Sequence, residues 1–408
     1  MTGPLITVED ARQRARRRLP KIFFDYIDGG SFSEATLRAN ETDFERYALV
    51  QRVLVDARER DLTTHFLGRT HAMPFGLGPV GYTGLFSRSG EIAAARAAAA
   101  AGIPFCLSNF AIATLAEVRQ ASGASLFMQL YVLRDRSMME TLIEASVDAG
   151  ADALVLTVDT AVTALRERDE RNGFRGLTRI TPRLALQFAT KPRWCAEVLA
   201  GGLPQVGVAR GRPEYGSGVL AQSGNLARQI EQGLTWADLR WLRDRWRGRL
   251  VVKGILSAED ARRAVAAGAD AIVVSNHGGR QLDGAPSTIS VLRSIAEAVG
   301  MDSEVLLDGG IRRGAQIVKA LALGAHGVLL GRAYAYGLAA NGQSGVAAVI
   351  ELLRREIDLT MALMGVTSVR QLREGGVDLL IDRYAAAMPA VTQEPSSGQH
   401  QRVGRTSL

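Results

Sequence analysis

Short apolar runs recur along the chain, and segments with helical periodicity separate them. Three units resemble one another: DAGADALVLTVD at 148–159, AAGADAIVVSNH at 266–277 and ALGAHGVLLGRA at 322–333. In each unit a glycine (Gly150, Gly268 or Gly324) precedes a run rich in Val and Leu, as expected where a helix ends and a buried parallel strand follows. The repeated pattern predicts alternating helices and strands.

Five further apolar runs bring the number of predicted strands to eight. They lie at 74–79, 104–107, 125–131, 250–254 and 304–308. Helix start signals are present in the capping-box pairs Thr114 with Glu117, Ser137 with Glu140, and Ser257 with Asp260. Eight strands alternating with helices predict the α/β class and a (β/α)8 TIM barrel, whose chemistry lies at the C-terminal strand ends.

The fourth and fifth strands are separated by a much longer segment than the others. We therefore expect one barrel domain over 1–390, with an N-terminal helical segment, an insertion at about 165–235 and a disordered tail at 391–408. The insertion mixes apolar and basic residues: Phe188, Trp194, Leu199 and Leu203 with Arg183, Lys191 and Arg193. This mixture is compatible with a lid packed on the barrel or with a surface that docks on a membrane or a partner.

The composition, 47% hydrophobic and 22% charged, is that of a soluble globular protein. The net charge is 49 − 42 = +7, but acidic residues are interspersed almost everywhere, which argues against nucleic-acid binding. The densest basic cluster is Arg12, Arg14, Arg16, Arg17, Arg18 and Lys21. It predicts either a solvated helix face or a segment attracted to an anionic membrane surface.

Cellular location is constrained by three absences in the sequence. Cys106 and Cys195 have no metal or redox spacing, the N-terminus has no signal-peptide pattern, and no apolar stretch is long enough to span a bilayer. We expect a cytoplasmic protein, peripheral at the membrane at most, with no bound metal.

The predicted strand ends carry polar or glycine residues, which indicates a ligand pocket. Strands seven and eight end in DGGIRRG and GRA, glycine-rich turns at the barrel position that usually holds phosphate, so a phosphorylated cofactor is implied. Lys253 is one of four lysines, and a compact ammonium at a strand end suits a developing anion. His277, in SNHGGRQLDG, is a candidate general base.

At these residues the chain resembles the FMN-dependent L-2-hydroxy-acid dehydrogenases and oxidases. The resemblance covers about residues 7–385 and rests on FFDYIDGGSFSEATLRAN, QLYVLRDR, LTVDTAVTALRERD, VVKGILSAEDA, SNHGGRQLDG and LLDGGIRRGAQIVKALALGA. The similarity is greatest to the membrane-associated branch, the (S)-mandelate dehydrogenases and quinone-linked L-lactate dehydrogenases. It implies an FMN enzyme that oxidises a small 2-hydroxy acid, and a homo-oligomer such as a tetramer.

The resemblance also implies residue roles. His277 would accept the substrate α-proton, with Asp159 orienting its imidazole, and Tyr131 and Lys253 would complete the catalytic set. The substrate would be held by Tyr26, Tyr131, Arg166 and Arg280. The FMN contacts would be Pro79, Val80, Gly81, Ser108, Gln129, Thr157, Lys253, Ser275, Asp308, Gly309, Gly310, Ile311, Arg312, Gly331 and Arg332.

The identity of the electron acceptor distinguishes a dehydrogenase from an oxidase within this family. We expect a quinone or another carrier, because oxygen-using members of the family often carry alanine at the position of Gly81. One alternative is an oxidase that produces hydrogen peroxide, and another is a relative that acts on a peptide or only binds FMN. The relative that acts on a peptide or only binds FMN is disfavoured, since it would not need the full set of Tyr26, Tyr131, Arg166, His277 and Arg280.

Overall fold

The computed structural model describes residues 3–174, 181–200 and 202–384. The strands are β1 (Tyr47–Leu49), β2 (Thr64–Phe66), β3 (Arg69–His71), β4 (Phe75–Leu77), β5 (Phe105–Leu107), β6 (Leu126–Leu130), β7 (Ala153–Thr157), β8 (Arg249–Ile255), β9 (Ala271–Val274), β10 (Glu304–Asp308), β11 (Gly327–Leu330) and β12 (Leu380–Asp382). The helices are α1 (Val8–Arg18), α2 (Lys21–Asp28), α3 (Ala35–Thr42), α4 (Gly90–Ala100), α5 (Leu115–Ala121), α6 (Arg136–Asp148), α7 (Glu167–Asn172), α8 (Pro182–Ala189), α9 (Pro192–Val198), α10 (Val219–Gln229), α11 (Trp236–Arg245), α12 (Ala258–Ala266), α13 (Thr288–Val299), α14 (Gly314–Ala322), α15 (Arg332–Met364) and α16 (Val369–Gly375). The tail expected at 391–408 lies outside the described residues.

Strands β4 to β11 pair in parallel and in chain order, and they close into a barrel. Closure is made by β11 on β4, where Val328 pairs with Phe75. The predicted eight-stranded (β/α)8 barrel is therefore confirmed. Gly150, Gly268 and Gly324 have φ values of 59°, 98° and 105°, in the left-handed region that ends helices as the repeat predicted.

The N-terminal end of the barrel is closed by the β2–β3 hairpin. Phe66 and Leu67 belong to the apolar cluster that fills the barrel interior, together with Cys106. A Cβ at Gly327 would lie 3.0 Å from the Phe66 ring, so the hairpin is packed tightly against β11. The C-terminal strand ends form the open end of the barrel, where ligands bind in this fold.

Of the three predicted capping boxes, the one at Thr114 is complete and the one at Ser257 is half formed, because the Asp260 carboxylate accepts from the Ser257 hydroxyl and not from its amide. The Thr114 hydroxyl accepts from the Glu117 amide, with the reciprocal bond present, and Ser257 accepts from the Asp260 amide. The capping box at Ser137 is wrong. Helix α6 begins earlier, because Asp135 accepts the amides of Ser137 and Met138 at 3.0 and 3.2 Å and so acts as the N-cap.

The insertion lies between β7 and β8 and includes helices α7 to α10. Trp194 is buried, donates its indole N–H to the Leu85 carbonyl at 2.8 Å, and has its ring 5.2 Å from that of Phe23. This packing agrees with the lid interpretation and rules out Trp194 as a membrane-facing residue. Leu186 and Leu203 are 67% and 72% exposed, so the docking alternative rests on them. Among the described residues, no helix has the length and apolar content to cross a bilayer.

Candidate active site

A cleft of about 1250 Å³ opens at the C-terminal strand ends. It brings together nearly all the predicted site residues: Tyr26, Pro79, Val80, Gly81, Ser108, Gln129, Tyr131, Thr157, Arg166, Lys253, His277, Arg280, Asp308, Gly309, Gly310, Ile311, Arg312, Gly331 and Arg332. The other two, Asp159 and Ser275, do not line the cleft but bond to residues that do. Ser275 is therefore placed to act on the cofactor only through its neighbours.

His277 and Asp159 form a hydrogen-bonded pair at one side of the cleft. The imidazole Nδ1 lies 2.9 Å from the Asp159 carboxylate, which favours the tautomer with a proton on Nδ1 and leaves Nε2 able to accept one. Burial lowers the pKa of His277, although Asp159 opposes the shift, so the imidazole is neutral at pH 7. His277 has φ 58°, an uncommon value for a residue with a side chain and one that often marks functional sites.

Lys253 is almost fully buried in the middle of the cleft. Its ammonium lies 3.0 Å from the Asp308 carboxylate and donates to the Ser275 hydroxyl at 2.8 Å. Burial acts to lower the pKa of Lys253, but Asp308 and Asp159 raise it above its ordinary value. The strand ends thus hold a permanent cation beside the cleft, where it can stabilise a negative charge on a ligand.

Some buried polar atoms of the residues that line the cleft lack hydrogen-bond partners within the described residues. They include Gln129 Nε2, Thr157 Oγ1 and Asp308 Oδ1. The side-chain oxygen of Gln129 is already engaged, because it accepts from the Asn109 amide at 3.1 Å. Unpaired buried polar atoms are costly unless a ligand satisfies them, so this set indicates a bound ligand that both accepts and donates hydrogen bonds.

Two turns at the ends of β10 and β11 provide a cradle suited to phosphate. Gly309 and Gly310 have φ values of 99° and 77°, and a Cβ at Gly310 would lie 1.8 Å from the Asn40 carbonyl oxygen, so only glycine fits there. Gly331 caps the N-terminus of α15, an end that favours anions, and α15 is interrupted by a kink at Asn341 and Gly342. The cradle fits the phosphorylated cofactor that the sequence implied.

The arginines of the cleft are held by main-chain carbonyls. Arg280 Nη1 donates to the carbonyls of Tyr26 and Gly29 at 2.6 and 2.8 Å, and its guanidinium lies 4.8 Å from the centre of the Tyr26 ring. Arg332 donates from all three nitrogens to the carbonyls of Ile27, Gly278 and Gly29. Burial is the main reason that the pKa of Arg332 falls to about 10. These bonds fix the guanidinium in place and leave one N–H on each terminal nitrogen for a ligand.

Several lining residues were missed by the sequence reasoning: Tyr82, Phe110, Thr160, Thr163, Ser223, Ala227, Ile230 and Gln281. The Tyr82 hydroxyl lies 2.6 Å from that of Ser223 on α10, which joins the insertion to the loop after β4. The spacing of Ser223, Ala227 and Ile230 puts them on one helix face, but the sequence did not show which face of the insertion would meet the barrel.

The fold and the site define a class: a TIM-barrel enzyme with a cradle for a phosphorylated cofactor beside a buried lysine and a histidine–aspartate pair. The model of the FMN-dependent dehydrogenase family matches residues 15–379. The chain therefore belongs to the FMN-dependent dehydrogenase family, and FMN is its cofactor. The unpaired donors at Gln129 and Thr157 and the phosphate cradle fit that molecule.

Individual relatives cover almost the whole chain. An L-lactate dehydrogenase of Caulobacter vibrioides is 48% identical over 90% of this chain and 95% of its own, and one of Chromohalobacter salexigens is 45% identical over 95% and 98%. A solved structure of the monotopic membrane protein (S)-mandelate dehydrogenase has a TM-score of 0.89 at 39% identity, covering 93% of this chain and 100% of its own. A mandelate oxidase structure has a TM-score of 0.80 at 38% identity, covering 90% and 98%.

Proposed function

We propose that this protein oxidises a small L-2-hydroxy acid, lactate- or mandelate-like, to the corresponding 2-oxo acid. The observation that carries the proposal is the His277–Asp159 pair, 2.9 Å apart, in the same cleft as Arg166, Arg280 and the buried Lys253. A hydroxy acid must lose two protons and two electrons, so its oxidation needs a base, an anchor for its carboxylate and an electron acceptor. FMN, when bound, supplies the two-electron acceptor.

The substrate is oriented by cationic and phenolic groups. Arg166 and Arg280 bind its carboxylate, and Tyr26 and Tyr131 donate hydrogen bonds to its carboxylate and hydroxyl. Burial holds the pKa of Tyr131 well above 10, so the phenol stays a donor throughout the physiological range. Fixing the carboxylate in this way directs the α-C–H toward His277.

His277 Nε2 removes the α-proton while Nδ1 keeps its hydrogen bond to Asp159. The imidazolium formed is stabilised by that carboxylate, whose own pKa is lowered by His277 and Lys253 against the effect of burial. Lys253 would stabilise negative charge on FMN. Ser108, Gln129 and Thr157 would hold its ring, and its chain and phosphate would be held by Asp308 to Arg312, Gly331 and Arg332.

Anaerobic reduction tests this function. The purified holoenzyme is mixed with L-lactate, (S)-mandelate or glycolate, and the visible flavin absorbance is followed. We expect at least one acid to bleach the flavin and to yield one equivalent of 2-oxo acid. If none does, and the FMN content is normal, the proposed reaction is wrong.

The electron acceptor is proposed to be a quinone or another carrier. Gly81 supports this choice. An added Cβ would lie 3.2 Å from Phe110 Cβ and 3.3 Å from the Tyr26 hydroxyl, so glycine keeps the space between these two side chains open. The likeness to a mandelate oxidase favours a second candidate, an oxidase that reduces O2 to H2O2. Stopped-flow reoxidation separates them: we expect a quinone analogue to act faster than air-saturated buffer, and the opposite order would establish the oxidase.

Peripheral membrane association is proposed from the insertion. The monotopic (S)-mandelate dehydrogenase supports it, as do the exposed Leu203 and the exposed Leu186, which lies three residues after Arg183 on α8. Leu186→Glu should shift the protein from anionic vesicles to the supernatant in a sedimentation assay, whereas Val147→Glu, also at an exposed apolar side chain but on α6, should not. Equal binding by the two variants would contradict this surface.

Assembly into a homo-oligomer, with a tetramer as the expected form, is also proposed. Val53, Leu54 and Leu363 are exposed apolar side chains, and the Arg52 amide bonds to the Leu363 carbonyl, so they lie on one face. Light scattering of the purified protein tests the proposal, and a monomer mass would contradict it.

A further inference from the structure

Two segments far apart in the chain supply the groups proposed to bind the substrate carboxylate. Helix α2 carries Tyr26 near its C-terminus, and Arg166 is the N-cap of α7, the first helix of the insertion. The relative position of α2 and α7 therefore determines the separation of Tyr26 and Arg166. A small shift between them would separate groups that must reach one ligand.

Aromatic and amide contacts already join the two helices. Phe174, just after α7, stacks on Tyr26 with ring centres 4.6 Å apart and planes inclined by 23°. The Asn172 amide donates to the Asp25 carboxylate at 2.7 Å. These contacts place α7 against α2, but a ring stack permits sliding and a single neutral donor is weak.

Arg168 adds a forked ionic connection between α7 and the end of α2. Its Nη1 donates to the Asp28 carboxylate at 2.8 Å, and its Nη2 donates to the Glu34 carboxylate at 2.7 Å. The Asp28 side chain is 4% exposed, and it also accepts from the Tyr336 hydroxyl at 2.8 Å and from Arg12. Asp28 is thus fixed to α1 and α15, and Arg168 ties α7 to that fixed point.

The backbone around Asp28 leads directly to the cleft. Arg332 binds the carbonyls of Ile27 and Gly29 on either side of Asp28, and Arg280 binds those of Tyr26 and Gly29. A displacement of this end of α2 therefore moves the Tyr26 ring together with the Arg280 guanidinium, both of which are proposed to bind the substrate.

We propose that Arg168 is a positioning residue for substrate binding, which holds Arg166 at its working distance from Tyr26 by tying α7 to Asp28 and Glu34. This inference rests on the proposed function, since it assumes that the cleft binds a carboxylate. Arg168 itself does not line the cleft. Its effect should therefore appear in ligand affinity, because both positioned groups bind the carboxylate before and during reaction alike.

The test compares Arg168→Met with Arg171→Met in the FMN-loaded enzyme. Arg171 is the matched control, because it lies on the same helix, is 71% exposed and, among the described residues, forms its ion pair within α7, with Glu167. For Arg168→Met we expect KM for the best 2-hydroxy acid to rise about tenfold, while kcat stays within about threefold of the unaltered enzyme. The Kd for oxalate, measured from the change in the flavin spectrum, should also rise about tenfold. For Arg171→Met we expect changes within about twofold. Arg168→Lys should recover part of the loss, since an ammonium reaches one carboxylate at a time.

A purely structural role of Arg168 predicts a lowered Tm with unchanged oxalate affinity, and that result would overturn the proposal. Equal oxalate affinities of Arg168→Met and Arg171→Met would overturn it too. If Arg168→Met does not fold, Glu34→Gln decides by the same titration: weaker oxalate binding supports the proposal and unchanged binding overturns it. Failure of the proposed function is distinct, because then the unaltered enzyme itself is not reduced by any hydroxy acid.

Discussion

The carboxylate of Asp159 is predicted to stabilise the imidazolium that forms on His277. Asp159→Asn keeps the shape of the side chain and an oxygen that can accept from Nδ1, but it removes the charge. The two side chains are only 11% and 19% exposed, so solvent screens the pair weakly. Two unit charges about 4 Å apart interact by about 4 kcal/mol at an effective dielectric constant of about 20, the value suited to protein sites.

That interaction sets the expected loss of rate. At about 1.4 kcal/mol per factor of ten, losing the whole interaction would slow α-proton removal by about 10³, and the hydrogen bond retained by asparagine reduces the loss toward about 10². The assay is anaerobic stopped-flow reduction of the flavin at saturating substrate, with α-deuterated substrate to confirm that C–H cleavage still limits the rate. FMN content and Tm are the controls, and both should stay near their original values.

The pH dependence gives an independent check on the same pair. Reduction requires neutral His277, so kcat/KM should rise with pH through the pKa of His277 in the free enzyme and level off above it. Burial places that pKa below its ordinary 6.5, and Asp159 partly opposes the shift. Asp159→Asn should therefore move the acid limb to lower pH while lowering the plateau. A variant that reduces flavin within about fivefold of the original rate, with its acid limb unmoved, would refute the reasoning.

Three further predictions follow from the described contacts. His277→Gln should abolish flavin reduction while FMN stays bound, and turnover near the original rate would place the base elsewhere. Arg280→Lys should raise KM and slow reduction, because an ammonium that donates to the Tyr26 and Gly29 carbonyls has one donor left and cannot bind a carboxylate through two parallel hydrogen bonds; unchanged kinetics would contradict this. His71 and His326 have pKa values lowered to about 4 by burial, so each neutral form contributes stability that is fully present above pH 6.5 and is lost as pH falls toward 4. Each loss is about 3 kcal/mol, and urea unfolding of His71→Phe should show a weaker decline over that range than the unaltered protein.

The barrel could be predicted because its signals are local. Each parallel strand is buried on both faces and so appears as an uninterrupted apolar run, and a glycine with positive φ ends the preceding helix. The start of α6 was missed because two good capping residues, Asp135 and Ser137, lie two positions apart. Only the folded backbone shows that Asp135 captures the free amides.

The candidate site could be predicted where it lies on strand ends, because the fold itself brings these positions together. The walls contributed by α10 could not, since a 70-residue insertion can cross the barrel mouth in many ways. The same uncertainty affected Trp194. An aromatic residue in an insertion that mixes basic and apolar residues suits lipid or core equally, and here the Phe23 ring and the Leu85 carbonyl provide a core site.

The arginines show where residue type alone misleads about chemistry. A guanidinium in a cleft suggests an anion ligand, yet Arg332 uses all three nitrogens on the carbonyls of Ile27, Gly278 and Gly29. Those carbonyls belong to the end of α2 and to the loop that carries His277, so the cation joins two segments that must keep a fixed spacing. A planar fork with several donors can do this and a lysine cannot. The arginine at position 332 is therefore explained by the geometry of the backbone as well as by the charge of the ligand.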